Sequence, residues 1–393
     1  MSHPRRPPRL FSTLLPHQKP KISYKYMISD ILEIKSPGIN ILQKTPTATA
    51  ITYLTQAMKK GTFFYMEHPK TLQDAIVYFS DKDRAFAYAL NYRWPNGLVV
   101  CPRCGSERHS FMKTRRVWEC YGCKRQFSLK VGTIFEDSPI SLDKWMMVAW
   151  MLTNCKNGVS SYEIHRSIGV TQKTAWFMLH RIREAMKSDK SVKLGSNDGG
   201  EVESDEAYIG GKVKNMHYDR KMRIQKELSK LPAWKQTTRY GGKAPVIGMF
   251  DRNSREVRAK VVPNTRRETL QREILANIEH GSKVYTDEAT AYDNALKSNY
   301  IHETVNHCDE YVRGQVHTNC LENFWSLTKR NLAGTYVAVE PFHLDRYLDE
   351  QMFRFNNRLG VTDHQRFNKV MSQVAGRRLT YADLIGTGSA TSH

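Results

Sequence analysis

The stretch EVESDEAYIGGK, residues 201–212, alternates like a strand: Val202, Ser204 and Glu206 fall on one face, Glu203 and Asp205 on the other. Carboxylates grouped on a strand are costly to bury unless a cation compensates them. Two further acids sit in comparable settings. KVYTDEATAYD, residues 283–293, opens as a strand that reaches Asp287, and NCLENFWSLTKRNLAGTY, residues 319–336, reads as the start of an amphipathic helix with Glu322 near its beginning. Asp287 and Glu322 lie 322 − 287 = 35 positions apart, and Asp205 belongs to an earlier strand. Three carboxylates brought in by two strands and a helix suit a pair of divalent ions, and hard oxygen donors select Mg2+ or Mn2+. Two such ions about 4 Å apart activate an attacking oxygen and stabilise a leaving one.

On the helix, Glu322 and Lys329 are seven residues, or two turns, apart, so they share a face without being able to pair directly. One reading gives them a common substrate, with Glu322 toward the metals and Lys329 on a phosphate backbone. The other leaves them as charges on a solvated face.

Around this core the chain is strongly basic. Its 393 residues carry 60 Lys+Arg against 39 Asp+Glu, a net charge of +21, and the pI is near 9.6. That balance points to a polyanionic partner, most simply nucleic acid. No apolar run reaches the ~18–20 residues that cross a bilayer, and the LFSTLLP after the basic start is too short and proline-broken for a signal peptide. Of seven cysteines, four form two CxxC pairs, leaving Cys155, Cys308 and Cys320 as ordinary thiols, so a reducing, cytoplasmic (nucleoid-associated if bacterial) setting is expected.

Residues 1–65 hold ten Lys/Arg against two acids and no sustained period, so they read as a disordered basic extension. Natural translation is expected to begin at Met66. Residues 66–135 read as helices plus a cysteine module, 136–195 as a helical DNA-binding segment, 196–360 as the acidic-strand domain and 361–393 as a tail. Lys212–Lys243, with ten Lys/Arg and two acids, reads as a mobile insertion for polyanion contact.

In the cysteine module, Cys101, Cys104, Cys120 and Cys123 form CxxC-x15-CxxC, the spacing of a closed tetrahedral zinc site. Four protein ligands leave no open position, so the ion is structural. Gly105 and Gly122 sit where the two knuckles need relaxed backbone. Arg115, Arg116, Lys124 and Arg125 surround the site with Trp118 and Tyr121, a surface suited to phosphates. Downstream, residues 159–186 have the form of a helix-turn-helix. Ser160 or Ser161 caps the first helix, Gly169 makes the turn and Thr171 caps the second, with Gln172, Lys173 and Thr174 where base edges are met and Arg181 further along.

TLQDAIVYFSD, WPNGLVVCPRCGS, DEAYIGGK, YTDEATAY, HTNCLENFWSLTKR and HLDRYLDEQMFRFNNR together make residues 67–358 resemble DDE-type transposases of bacterial insertion sequences, in the group related to Merlin elements. The resemblance implies an α/β, RNase H-like mixed-sheet catalytic domain preceded by a zinc ribbon and a helix-turn-helix-like segment. It implies structural Zn2+, catalytic Mg2+ or Mn2+, and double-stranded DNA (terminal inverted repeats and target) as partner, with a homo-oligomer on the DNA. It sets the first Asp at Asp205, the second at Asp287 and the helical Lys at Lys329, beside Arg330. The third metal-proximal residue is Glu322 or Asn319, and Glu322 is preferred because a carboxylate binds Mg2+ better than an amide does. The expected activity is phosphodiester hydrolysis followed by strand transfer. The competing readings are a non-catalytic zinc-ribbon/helix-turn-helix regulator and an RNase H-like nuclease without joining.

Overall fold

The structure, a computed structural model, describes residues 68–188, 191–196, 199–210, 217–230, 243–287, 299–305 and 317–386. The basic extension and the expected start at Met66 lie outside the described residues.

Short-range chemistry sets most helix starts. Helix α1 (Leu72–Ser80) opens with a capping box between Thr71 and Asp74, and α2 (Lys82–Arg93) opens on Asp81, which accepts from the N–H groups of Asp83 and Arg84. Three short antiparallel strands follow, β1 (His109–Met112), β2 (Val117–Cys120) and β3 (Gln126–Ser128), in that spatial order. Trp118 of β2 lies between Phe127, stacked at 5.6 Å, and Phe86 of α2 at 6.1 Å, so aromatic packing fastens the ribbon to the helices.

Helix α3 (Leu142–Asn154) is buried on most sides, with Trp145, Met146, Val148, Trp150 and Leu152 all at or below 1% exposure. Helices α4 (Ser161–Ile168) and α5 (Gln172–Met186) then form the helix-turn-helix unit. Ser160, not Ser161, makes the capping box with Glu163, Gly169 closes α4 in the left-handed conformation, and Thr171 caps α5. Every residue of α5 from Met178 to Met186 is buried. Its first turn faces outward while its second half is scaffold.

The second half of the chain builds a five-stranded sheet from β4 (Glu201–Ile209), β5 (Ala244–Asp251), β6 (Val257–Val261), β7 (Lys283–Asp287) and β8 (Ile301–Val305), with α6 (Tyr218–Ser229) between β4 and β5 and α7 (Arg267–Asn277) between β6 and β7. Their spatial order is β6-β5-β4-β7-β8. β4, β5 and β6 run antiparallel; β7 joins β4 and β8 joins β7 in parallel. An antiparallel meander continued by parallel strands is the RNase H-like arrangement, and it makes β4 the central strand. Val202, Ile247, Met249 and Val284 pack under Leu270 and Ile274 of α7. On the opposite face, Ala207, Val246, Phe250 and Val257 meet Leu321, Phe324 and Trp325 of α8 (Asn319–Asn331) and Leu348, Met352 and Phe355 of α9 (Leu344–Asn356). Of the basic stretch Lys212–Lys243, the structure describes chiefly α6; the rest of that expectation lies outside the described residues.

Two features differ from the sequence reading. β8 pairs with β7 as the sheet edge but shows no clear strand signal, since only its terminal Ile301 and Val305 are apolar. The supposed tail is no tail. Helix α10 (Asp363–Met371), opened by a Thr362–Gln365 capping box, sends Phe367 and Val370 at 0% exposure into the core with Phe79 and Trp150. Beyond it, Ile134 N–H donates to the Val374 carbonyl at 3.0 Å, and α11 (Tyr381–Ile385) buries Leu384.

Helix α5 and helix α9 also share a buried ion pair. Arg183 Nε donates to Glu350 Oε2 at 2.6 Å, with both side chains essentially inaccessible, and the same carboxylate engages Arg354 and Tyr336. Gly158 fits against this cluster at φ +74°, where a Cβ would lie 2.1 Å from the Tyr336 hydroxyl.

Candidate functional site

In the ribbon, the four cysteines converge. Their sulfurs lie within 4.8 Å of one another, with Cys101–Cys123 at 3.8 Å and Cys104–Cys120 at 3.5 Å. A tetrahedron with metal–sulfur distances of about 2.3 Å has edges of roughly 3.8 Å, so the cluster suits zinc. The first knuckle turns at Gly105, φ +72°, but the second turns at Lys124, φ +57°, rather than at Gly122. Gly122 is required for a different reason: a Cβ there would meet Ser106 Cβ at 2.9 Å. The N–H groups of Cys123 and Gly122 help draw the Cys120 thiol down to about 6, favouring the thiolate a metal needs. Cys155 and Cys320 are half-buried free thiols, and Cys308 lies outside the described residues.

The acidic site is built on β4. Asp205 pairs across the antiparallel ladder with Gly248 of β5. Because Gly248 has no side chain, α8 settles close to the sheet there: a Cβ on Gly248 would lie 2.4 Å from Trp325 Cζ2. From that position Trp325 Nε1 donates to Asp205 Oδ2 at 3.1 Å, and Glu206 N–H donates to Asp205 Oδ1 at 2.8 Å. The strand acid is thus tied to the helix that carries Asn319, Glu322, Lys329 and Arg330, all four exposed. Glu322 lies in the first turn of that helix and Lys329 and Arg330 in its last, the ends its dipole favours for those charges. The parallel register of β4 and β7 runs Glu201↔Lys283 to Glu203↔Tyr285. Carried two residues further, it sets Asp287 level with Asp205. The Asp287 carboxylate itself lies outside the described residues.

Glu203, which the alternation sets on the same strand face as Asp205, is completely buried. The N-cap residue of α8, Thr318, makes no side-chain cap. Glu203 supplies it instead: the N–H groups of Cys320 and Leu321 donate to its Oε2 at 3.1 and 3.2 Å. Arg252 neutralises the other oxygen at 2.8 Å and reaches the His317 carbonyl at 2.8 Å and Nδ1 at 3.0 Å, which makes that ring nitrogen an acceptor. Arg252 also lies 4.4 Å over the Tyr285 ring. Arg252, Gly248 and Trp325 are the positioning groups that sequence reasoning missed. The alternation that puts Glu203 on the same face as Asp205 pointed to that acid alone.

Among the candidate DNA contacts, Arg115, Lys124, Arg125 and Lys173 are exposed. Arg115 lines a cavity of about 330 Å³ with Lys82, Arg116 and Lys130. Arg116 is held by the Lys82 carbonyl and the Asp83 carboxylate. Gln172 donates to Ser161 Oγ at 2.8 Å and Thr174 belongs to the cap of α5. Arg181 drops out of the set. It is 3% exposed and spends its guanidinium on the carbonyls of Leu379 and Glu136, because the inner half of α5 is core.

Comparison with known proteins accords with this geometry. The model of the ISXO2-like transposase domain matches residues 198–356, and that of the transposase zinc-ribbon domain matches residues 80–126. A relative, described as an uncharacterized protein in transposable element ISH50 of Halobacterium salinarum, is 30% identical over 279 residues, covering 70% of this chain and 90% of that protein. The chain belongs to the ISXO2-like transposase family. An ISXO2-like transposase domain thus coincides with the five-stranded sheet and helices α8 and α9. Among solved structures, a simian T-cell lymphotropic virus intasome in complex with the PP2A regulatory subunit B56 gamma aligns at a TM-score of 0.25 and 14% identity, with 52% of this chain covering 64% of that one. No described helix is long and apolar enough to cross a membrane.

Proposed function

We propose that this chain binds the terminal inverted repeats of its own insertion sequence and catalyses phosphodiester hydrolysis followed by strand transfer. The observation that carries the reading is Asp205. It stands on the central strand of an RNase H-like sheet, level by register with Asp287 and hydrogen-bonded to the helix that presents Glu322 and Lys329. Asp205, Asp287 and Glu322 are the hard oxygen donors that Mg2+ or Mn2+ takes. Divalent ions at such a set activate the attacking oxygen and stabilise the leaving one.

The chain's own residues do the rest. Glu203 and Arg252 hold the start of α8, Lys329 and Arg330 face the phosphate backbone two turns beyond Glu322, and the ribbon, with structural Zn2+, offers Arg115, Lys124 and Arg125 to DNA. The outer turn of α5, with Gln172, Lys173 and Thr174, reads the repeat. Work on two DNA ends implies a homo-oligomer assembled on DNA.

The test is Mg2+-dependent nicking of duplex DNA that carries the element's flanking repeats. Asp205→Ala is expected to abolish nicking while leaving DNA binding intact; an equally active Asp205→Ala protein would overturn the proposal. Glu322→Gln and Asn319→Ala, assayed separately, assign the third ligand, with the loss expected in the Glu322 variant. Pre-cut ends supplied to the enzyme test joining.

A further inference from the structure

We infer that Trp325 is a positioning residue for Asp205, and that Gly248 exists to admit it; the inference rests on the catalytic reading above. Three observations converge. Trp325 Nε1 donates to Asp205 Oδ2 at 3.1 Å from a side chain only 4% exposed, so the donor is held inside the protein. The residue paired with Asp205 across the sheet is Gly248, and the outer ring of the indole occupies the place its Cβ would take, at 2.4 Å from Cζ2 and 2.9 Å from Cη2. Finally, Trp325 is one helical turn beyond Glu322, so one side chain sets both the orientation of the strand acid and the axial position of the helix acid.

The chemistry is that of a partner behind a metal ligand. A carboxylate on an otherwise unbraced side chain rotates about its terminal torsion. Here Oδ1 is held by the Glu206 N–H at 2.8 Å and Oδ2 by the indole, which together set the plane in which the carboxylate meets a cation. Loss of such partners typically weakens metal binding 10–100-fold. Phenylalanine at this position keeps much of the packing and loses the donor, whereas a Cβ on Gly248 keeps the donor and displaces the ring.

The experiment measures Mn2+ binding to the full chain by electron paramagnetic resonance, with Mn2+ alone as probe. It compares wild type, Asp205→Asn, Trp325→Phe, Gly248→Ala and a protein in which Trp325 is replaced by its benzothiophene analogue, which has the indole's shape without its N–H. The analogue and Trp325→Phe are expected to bind Mn2+ about tenfold more weakly, and Gly248→Ala to show a similar loss. The analogue's melting temperature should stay within about 4 °C of the wild-type value, well above the assay temperature, so the loss is not one of folding. As a second readout, the Trp325 indole N–H resonance, one of seven tryptophan signals and identified by its disappearance in Trp325→Phe, should move on addition of Mg2+.

Wild-type Mn2+ affinity in the analogue, with binding lost in Asp205→Asn, overturns the positioning role and leaves the catalytic reading standing. Unchanged affinity in Asp205→Asn overturns both.

Discussion

Replacing Glu203 with glutamine tests how the helix that carries Glu322 is held. The change is nearly isosteric, so packing is preserved, but the charge goes and one carboxylate oxygen becomes an NH2 donor. Glu203 accepts two N–H groups from the start of α8 and one from Arg252, and it is fully buried. Whichever way the new amide turns, its NH2 faces either the helix N–H groups or the Arg252 guanidinium, donor against donor. Hydrogen bonds to a charged group contribute about 1.5–3 kcal/mol each, against about 1 kcal/mol for neutral ones. Breaking a buried ion pair costs about 3–5 kcal/mol. Arg252 keeps Glu201 at 3.3 Å, which softens the loss, so about 3 kcal/mol is a fair sum. For a chain of this size that corresponds to roughly 3–5 °C in melting temperature. Activity should fall further than stability does, because a displacement of about 1 Å at a reacting group can cost about 100-fold in rate. Circular dichroism melts and the nicking assay, run below the variant's transition, separate the two effects. A Glu203→Gln protein that melts within about 1 °C of wild type and nicks at the normal rate would refute the idea that this carboxylate anchors α8.

Chelating zinc should collapse the ribbon: because Trp118 packs between Phe86 and Phe127, its near-ultraviolet signal should be lost, and an unchanged spectrum in a strong chelator counts against the metal. Phe367→Ala should cost about 3–5 kcal/mol in denaturant unfolding, since the ring is 0% exposed against Phe79 and Trp150; a loss below about 1 kcal/mol contradicts the packed C-terminus. His180, buried beside Arg183, His343 and Arg346, is pushed well below the usual imidazole range by desolvation first and then by those neighbours. The unfolded chain therefore binds the extra proton. Stability is full above about pH 6.5 and falls by about 1.4 kcal/mol per unit below it, and in pH-dependent melts His180→Phe should flatten that slope.

What was legible in the sequence is what short-range chemistry decides. The two CxxC pairs, the caps at Thr171 and Gly169, and the alternation through β4 all depend on neighbours in the chain, and each appears in the fold. What was not legible depends on distant residues. The edge strand Ile301–Val305 exists because β7 offers it a partner. Phe367, Val370 and Met371 carry helical spacing, but only packing against α1 and α3 distinguishes a docked helix from a tail. Arg181 looks like a surface cation until α5 is seen to sink into the core. At the acidic site, the residue types and their order could be read directly. That Glu203 would cap a helix 117 positions away could not.

The buried Arg183–Glu350 pair has an evolutionary corollary. Helix α5 belongs at once to the segment that would meet DNA and to the interior shared with α9, so the two halves are not interchangeable modules. A chimera that grafts a foreign helix-turn-helix onto this sheet would take the Arg183 guanidinium from Glu350 and leave the carboxylate with Arg354 and Tyr336 alone. If the outer turn of α5 reads the repeat as proposed, new repeat preferences are open to this lineage there, one residue at a time, rather than through wholesale shuffling.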